Sequence, residues 1–388
     1  MIRNITVGID VGTYATRVVV CEHTKEELLP RIIGTGICES RGIRHGYIID
    51  SDEAIQSIKT AVGQAEKNAG VKITRAFLAI GGISLGSETT TGSAIISRAD
   101  KEVTDRDVQK ALLDSENQVN KTNKKIIFSS PISYKIDGED IFGRPEGLQG
   151  IKIEAKSLFV TCLSQHFEDM ISTVSEAGIE VLDIIPAPIA SAVVTLTVPQ
   201  KMAGCALIDL GAETVSIAVF ENNTPISMQV FSIGSTDITK DIALGLRVSL
   251  EEAEGVKRGT ISHAYPPRKL ADIIEARLTD IFELIETHLK KIKRNALLPG
   301  GVILTGGGAN LPIIEQLSKK LLKLPAKIAT AEVFGQSKTK IKDHAWFTAI
   351  GLCLLQKEYI ATDSQNNIGK GFNSIRELFK NAVKQLLP

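Results

Sequence analysis

Two carboxylates stand in the same local setting ~200 residues apart. Asp10 lies in Gly8-Ile9-Asp10-Val11-Gly12-Thr13, and Asp209 in Leu207-Ile208-Asp209-Leu210-Gly211-Ala212. In each copy an apolar strand enters Asp-x-Gly and leaves as a second apolar strand, Arg17 to Val20 in one case and Ser216 to Phe220 in the other. The pattern predicts two hairpins. A bend without bulky side chains presents backbone N–H groups to an anion, and a carboxylate beside it holds a cation through water. One Asp-x-Gly bend is an ordinary turn. Two of them facing each other would clamp a magnesium nucleotide between two lobes.

The elements around each motif suggest how such lobes are built. Asn4 to Cys21 reads as strand, turn, strand, and Asp52 to Ala69 has the apolar spacing of a helix. Arg75 to Ile80 returns as a strand, which completes an α/β lobe. Gly81 to about Thr161 breaks the rhythm with a Ser/Thr/Gly-rich stretch, a helix opened by Thr104-Asp105 and strands near Ile126 and Lys156 to Val160. This predicts an inserted α+β subdomain. A helix from Phe167 to Ala177, a strand from Glu180 to Ile184 and a crossover helix from Pro188 to Thr197 lead into the second lobe. That lobe repeats the plan, with helices over 237–246, 250–258 and 270–293, the strand Val302 to Thr305, a Gly306-Gly307-Gly308 turn, helix 312–322 and a last core helix over 344–360.

The chain of 388 residues has 43% hydrophobic and 23% charged residues, enough for two or three cores. Its 45 basic and 45 acidic residues cancel, which argues against a nucleic-acid partner. The five cysteines (21, 38, 162, 205, 353) are scattered without a Cys-x-x-Cys pair and read as reduced thiols. No signal peptide is legible at the start, and the longest apolar run, Ile184 to Val198, carries two prolines and falls short of the ~20 residues that span a bilayer. A cytoplasmic location is expected. The six histidines show no metal-ligand spacing, and no Gly-x-Ser-x-Gly elbow is present.

The duplicated motifs and the strand-Gly-Gly-Gly-helix segment resemble the actin-like ATPase superfamily, over nearly the whole chain. The resemblance implies an α/β fold, actin-like (ribonuclease H-like), of two duplicated lobes with an inserted α+β subdomain and a C-terminal amphipathic helix. It divides the chain into lobe 1 (1–82 and 163–200, subdomain 1A), the insert (83–162, 1C), lobe 2 (201–236 and 298–360, 2A), a small subdomain (237–297, 2B), a linker (361–370) and a terminal helix (371–388). It also implies a site for ATP. Asp10, Gly12, Thr13 and Tyr14 would form the first phosphate hairpin, with Arg17 as a basic phosphate contact. Asp209, Gly211, Ala212 and Glu213 would form the second, with Gly234 ahead of the next helix. Glu254 and Lys257 stand at the ribose position, and Gly306, Gly307, Gly308 and Asn310 match the adenosine motif, where a helix N-terminus adds its positive end. Asp10 and Asp209 would hold Mg through water.

Within the superfamily, Pro131-Ile132-Ser133-Tyr134-Lys135-Ile136-Asp137-Gly138, the run Gly147 to Ala155, and Pro266-Pro267-Arg268 leading to Ile274-Glu275-Ala276-Arg277 are similar to the bacterial cell-division actin homologue FtsA. PilM, the pilus-assembly relative, shares much of the architecture and is the alternative. FtsA resemblance implies self-assembly into filaments, binding of the FtsZ C-terminal tail on the small subdomain with Arg268 and Arg277 as carboxylate contacts, and further division proteins on the insert.

The tail favours the division reading. Phe372, Ile375, Leu378, Phe379, Val383, Leu386 and Leu387 fall on one helical face, and Arg376, Lys380 and Lys384 recur on the other. Partial burial of that face would give on the order of 5–10 kcal/mol gross, with about 1 kcal/mol per basic residue near anionic lipid. Such weak anchors act together when many sit on one polymer, so the expected location is the inner face of the cytoplasmic membrane at the division septum. A terminal helix packed on its own core or on a partner is the other reading of the same pattern.

Three positions depart from the superfamily. Ala187 precedes the Pro-x-Ala-x-Ala crossover where relatives place an acid or amide that positions water, so hydrolysis is expected to be slow or absent. Glu213 stands where many relatives have glycine, which is repulsive to phosphate unless the carboxylate turns outward or meets Mg. Ser235 interrupts a frequent Gly-Gly. The competing enzyme reading, a sugar- or acid-kinase-like phosphotransferase, would use the same cleft and gives the tail no role.

Overall fold

The computed structural model describes residues 4–24, 29–261, 265–331 and 343–363. The chain opens with strands β1 (Asn4–Val11), β2 (Ala15–His23) and β3 (Arg31–Glu39), the short pair β4 (Ile43–Arg44) and β5 (Tyr47–Ile48), helix α1 (Ser51–Ala69) and strand β6 (Arg75–Ile80). The insert follows as β7 (Gly86–Ile95), α2 (Asp105–Asn117), β8 (Lys124–Ile136), β9 (Glu139–Ile141) and β10 (Lys152–Leu163). Lobe 1 resumes with α3 (Ser164–Glu176), β11 (Glu180–Pro186) and α4 (Ala187–Thr195). Lobe 2 runs through α5 (Val198–Ala203), β12 (Cys205–Leu210), β13 (Val215–Glu221), β14 (Thr224–Phe231), α6 (Ser235–Leu246), α7 (Leu250–Lys257), α8 (Pro267–Lys291), β15 (Gly301–Thr305), α9 (Ile314–Leu322) and β16 (Ala326–Ile328). The final helix is α10 (Phe347–Asp363).

The repeated motif in sequence is a repeated sheet in space. Lobe 1 orders its strands β11-β6-β1-β2-β3, with the first three parallel and the last two antiparallel. Lobe 2 orders β16-β15-β12-β13-β14 with the same directions. Both Asp-x-Gly segments are the bends of antiparallel hairpins, β1–β2 and β12–β13. Within the hairpins Val18, Val19 and Val20 are fully buried, as are Ile217, Ala218 and Val219, because each central strand is covered on both faces.

Side-chain packing corrects the division of the chain at its end. Within 344–360, assigned from sequence to lobe 2, residues 347–355 pack into lobe 1: Phe347, Ala349, Ile350, Leu352, Cys353 and Leu355 join the core of β1, β2, β6 and α4. The crossing of α10 over α4 is so close that a β-carbon at Gly351 would overlap the Ala190 carbonyl, and Thr348 meets the Ser191 hydroxyl at 2.7 Å. Amphipathic period reports that a helix is buried, not on which sheet. Helix α10 also continues to Asp363, into the stretch read as linker; the rest of the linker and the amphipathic tail lie outside the described residues.

The Ser/Thr/Gly-rich stretch from Ser87 to Ser93 is the middle of strand β7, paired along its length with β10. At its start β7 meets β14, through Gln229 opposite Gly86. The sheet of the insert is thereby continuous with the sheet of lobe 2, although the insert leaves and re-enters lobe 1. Its own core gathers Ile96, Val108, Leu112, Ile136 and Ile153 under α2. Among the described residues no helix is long and apolar enough to cross a membrane.

The crossing at Gly351 generates a test. Alanine normally stabilises a helix interior relative to glycine by about 1 kcal/mol. Gly351→Ala should instead destabilise the protein by about 1–3 kcal/mol through overpacking against α4, read as a lower urea midpoint at an unchanged m-value.

Candidate functional site

One cavity of about 850 Å³ opens between the lobes, and both hairpin bends line it. Fourteen of the residues selected from sequence reach its wall: Asp10, Gly12, Thr13, Tyr14, Arg17, Asp209, Gly211, Ala212, Glu254, Lys257, Gly306, Gly307, Gly308 and Asn310. Ala187 and Pro188 close its floor where α4 begins, and Asp343, His344, Ala345 and Thr348 border it where the chain returns from lobe 2 to α10.

The two carboxylates face the same space. Burial raises Asp10 to about 6, against the pull of Arg17. Burial also raises Asp209, and repulsion from Asp10 adds to it, to about 7 despite the same arginine. Arg17 is the cross-strand partner of Asp10 in the β1–β2 ladder, so it is delivered to the crevice by register alone. Its guanidinium stacks over the Trp346 ring at 5.9 Å, and its Nε has no hydrogen-bond partner.

On the lobe 2 side, the bend of the second hairpin is locked to α6. Ser235 and Thr236 donate their N–H groups to the carbonyls of Gly211 and Ala212 at 2.9 and 2.8 Å. The first turn of that helix, Ser235 and Thr236, therefore lines the cavity. Gly306, at φ 85°, lets β15 turn beside the Asp209 carboxylate, which a β-carbon there would strike.

Helix α7 supplies a polar wall. Glu254 accepts from the Thr239 hydroxyl at 2.6 Å, Lys257 at 2.7 Å and Arg258 at 2.7 Å. Burial alone would raise the Glu254 carboxyl, but the bonds from Lys257 and Thr239 outweigh it and hold it below its ordinary value. Lys257 spends its remaining donors on the Ser235 carbonyl and the Thr239 hydroxyl, 3.0 and 2.8 Å away. It ties α7 to α6 rather than reaching into the cavity. Arg258, missed in the sequence reading although it neighbours Lys257, lies 5.2 Å over the Tyr14 ring and so bridges the lobes at the cavity mouth.

Three selected positions behave differently from expectation. Glu213 is not on the cavity wall: its carboxylate turns outward and accepts the His45 N–H at 2.7 Å. The turn takes its charge away from the cavity. Gly234 is also off the wall and permits α6 to approach the Ala212 carbonyl. Arg277 does not present a free guanidinium, because it grips Asp241 through two bonds of 2.6 and 3.0 Å and also pairs with Asp280. Arg268 is exposed at the start of the same helix, nine residues earlier and so on the opposite face. The wall residues Gly46, Gly81, Gly82, Thr214, Ser216 and Thr239 were not selected. Only the strand-Gly81-Gly82 step carried a signal in the sequence.

Two sheets of identical order clasping a glycine-lined cleft define an actin-like ATPase fold. Solved structures of this class superpose over most of the chain: the PilM-PilN type IV pilus biogenesis complex with a TM-score of 0.67, 15% identity, 90% of this chain and 97% of that one covered. MreB 5 of Spiroplasma citri bound to AMPPNP gives a TM-score of 0.57, 12% identity and coverage of 94% and 99%. The family described as "Cell division protein FtsA" matches residues 206–351, and the "SHS2 domain inserted in FTSA" matches residues 82–161. Cell division protein FtsA of Bacillus subtilis is 32% identical, covering 89% of this chain and 82% of that protein. The Pseudomonas aeruginosa protein is 28% identical, covering 91% and 89%. The chain belongs to the FtsA family of cell division proteins.

The two carboxylates contribute to the pH response of the unliganded protein, alongside Asp183, which burial raises to about 7. Each is held above its unfolded value, so the folded state binds more protons between pH of about 4 and 7, and stability falls as pH rises through that window. Asp209→Asn removes the cost of ionising the second carboxyl. It should stabilise the nucleotide-free protein by about 1–2 kcal/mol at pH 7.5, with the gain shrinking toward zero near pH 4. Denaturant titrations across that range measure it.

Proposed function

We infer that this protein is an ATP-binding actin homologue that assembles on the cytoplasmic membrane and tethers FtsZ filaments at the division septum. The observation that carries the nucleotide part is the pair of Asp-x-Gly bends meeting across one interlobe cavity. Asp10 and Asp209 suit a hard dication held through water: both are oxygen donors, and Arg17 only partly compensates their ionised forms in the crevice. Magnesium bound there would supply charge neutralisation to a triphosphate. Gly12, Thr13, Gly211 and Ala212 would take the phosphates with Arg17, and the Gly306–Asn310 turn the adenosine, with Glu254 toward the ribose. MreB 5, of the same fold, is bound to AMPPNP.

Ala187 at the cavity floor offers a methyl group where water would need an acceptor, which favours ATP as a conformational ligand over rapid hydrolysis. The membrane part rests on the amphipathic pattern of Phe372, Ile375, Leu378, Phe379, Val383, Leu386 and Leu387 opposite Arg376, Lys380 and Lys384. For the FtsZ tail, Arg268 is the better carboxylate contact, since Arg277 is already paired. Filament contacts with a second copy, and further division proteins on the insert, complete the reading.

Three measurements test it. Mg-ATP should raise the melting temperature of the protein, and Asp209→Asn should weaken that binding at least about tenfold, the scale for loss of a charged contact. Turnover should stay below about 1 s⁻¹, under the range of kinases, and rise in Ala187→Glu. In flotation with anionic liposomes the full chain should bind and a chain ending at Ile360 should not. Equal flotation of the two would remove the membrane reading and leave the nucleotide reading intact.

A further inference from the structure

The turn between β4 and β5 touches three parts of the molecule at once. The His45 N–H donates to Glu213 Oε2 at 2.7 Å, and His45 Nδ1 lies 3.1 Å from the Glu213 carbonyl, so the second hairpin is held to lobe 1 by a side chain and by the backbone. The next N–H, that of Gly46, donates to the Thr13 hydroxyl at 3.1 Å, in the first hairpin. That bond occupies a lone pair of the Thr13 oxygen and leaves its proton free to donate into the cavity. The His45 carbonyl accepts the Ile83 N–H at 3.3 Å, at the root of the insert, where Gly46 also packs on Gly82.

Four residues beyond Ile83, the Ser87 hydroxyl accepts the Met228 N–H at 2.7 Å and donates to the Met228 carbonyl at 2.9 Å. Met228 lies on β14, whose neighbour β13 belongs to the hairpin that carries Glu213. The contacts form a closed ring: Glu213, His45, Ile83, Ser87, Met228 and back to the second hairpin. The turn is held in a conformation that a side chain rarely adopts, with His45 at φ 49° followed by Gly46 at φ 84°. Left-handed backbone at a non-glycine residue costs roughly 1 kcal/mol, and the bonds on both sides of His45 offset it.

Resting on the nucleotide reading above, we propose that the His45–Gly46 turn is the relay that ties closure of the cleft to the orientation of the inserted subdomain, with Glu213 as its lobe 2 handle. Withdrawal of the second hairpin from the cleft pulls on His45, and His45 is bonded to Ile83. The insert therefore cannot keep its place on both lobes while the cleft opens. Its seat on β14 is one ladder pair and the Ser87 bonds, beside a core that Ile127, Phe128, Leu158 and Val160 of the insert share with Met228 and Val230. Glu213 thus acts on the insert rather than on phosphate.

Hydrogen exchange of the full chain with and without saturating Mg-AMPPNP tests this in the wild type, Glu213→Ala and Glu213→Gln. In the wild type the nucleotide should slow exchange about tenfold over residues 83–95, the size expected for a bond to a charged acceptor. Glu213→Ala should lose that effect while the Asp10–Thr13 and Gly306–Asn310 segments stay protected. Glu213→Gln, which keeps the shape and one weaker acceptor, should fall between. Unchanged protection of 83–95 in both variants, or bound nucleotide without any effect on 83–95 in the wild type, overturns the relay alone. Failure of the wild type to protect Asp10–Thr13 overturns the nucleotide reading and the relay with it.

Discussion

Two carboxylates forced into one crevice govern this molecule. Asp10 and Asp209 come from different lobes; burial raises both, Asp10 adds to the cost of ionising Asp209, and Arg17 only partly offsets it. An arrangement of that kind weakens the protein by itself at neutral pH, so its persistence in the fold is understandable where a cation and polyanion complete the charge balance. The sheets, the close helix crossing below the cleft and the locked hairpin all serve to hold these two side chains against their repulsion.

The lobes are joined at more than the crevice. Below it, α4 and α10 cross at Gly351 and share the Ser191–Thr348 bond, so the chain passes between the lobes twice within one packed unit. At the mouth, Tyr14 of the first hairpin meets Arg258, the residue that caps α7. At the side, the insert hangs from lobe 1 by its connections but shares a sheet with lobe 2. The inserted subdomain is thus bonded to both lobes, through Ile83 to His45 and through Ser87 to Met228.

Polar groups around the cleft are committed in pairs, which narrows what each can do. From sequence Lys257 was expected at the ribose and Arg277 at a partner's carboxylate, but one is spent on α6 and Glu254 and the other on Asp241. Glu213, which looked like a liability beside phosphate, serves the backbone of the opposite lobe. In each case a residue type gave the charge correctly and the neighbourhood decided its use.

Local physics was written plainly in the chain. The hairpins around Asp10 and Asp209, α1, β6, α8 and the Gly306–Gly308 turn follow from apolar period, glycine and short-range turn chemistry, which depend on near neighbours in sequence. The duplication also foretold a crevice between two like sheets. What no period could say is which surface a buried helix meets, as for α10, or that the polar run Ser87–Ser93 would be a strand held by β10. Nor could it foresee that His45 would sit within bonding distance of Glu213, 168 positions away. Those choices rest on through-space fit of volume and hydrogen-bond partners, and only the folded chain brings the partners together.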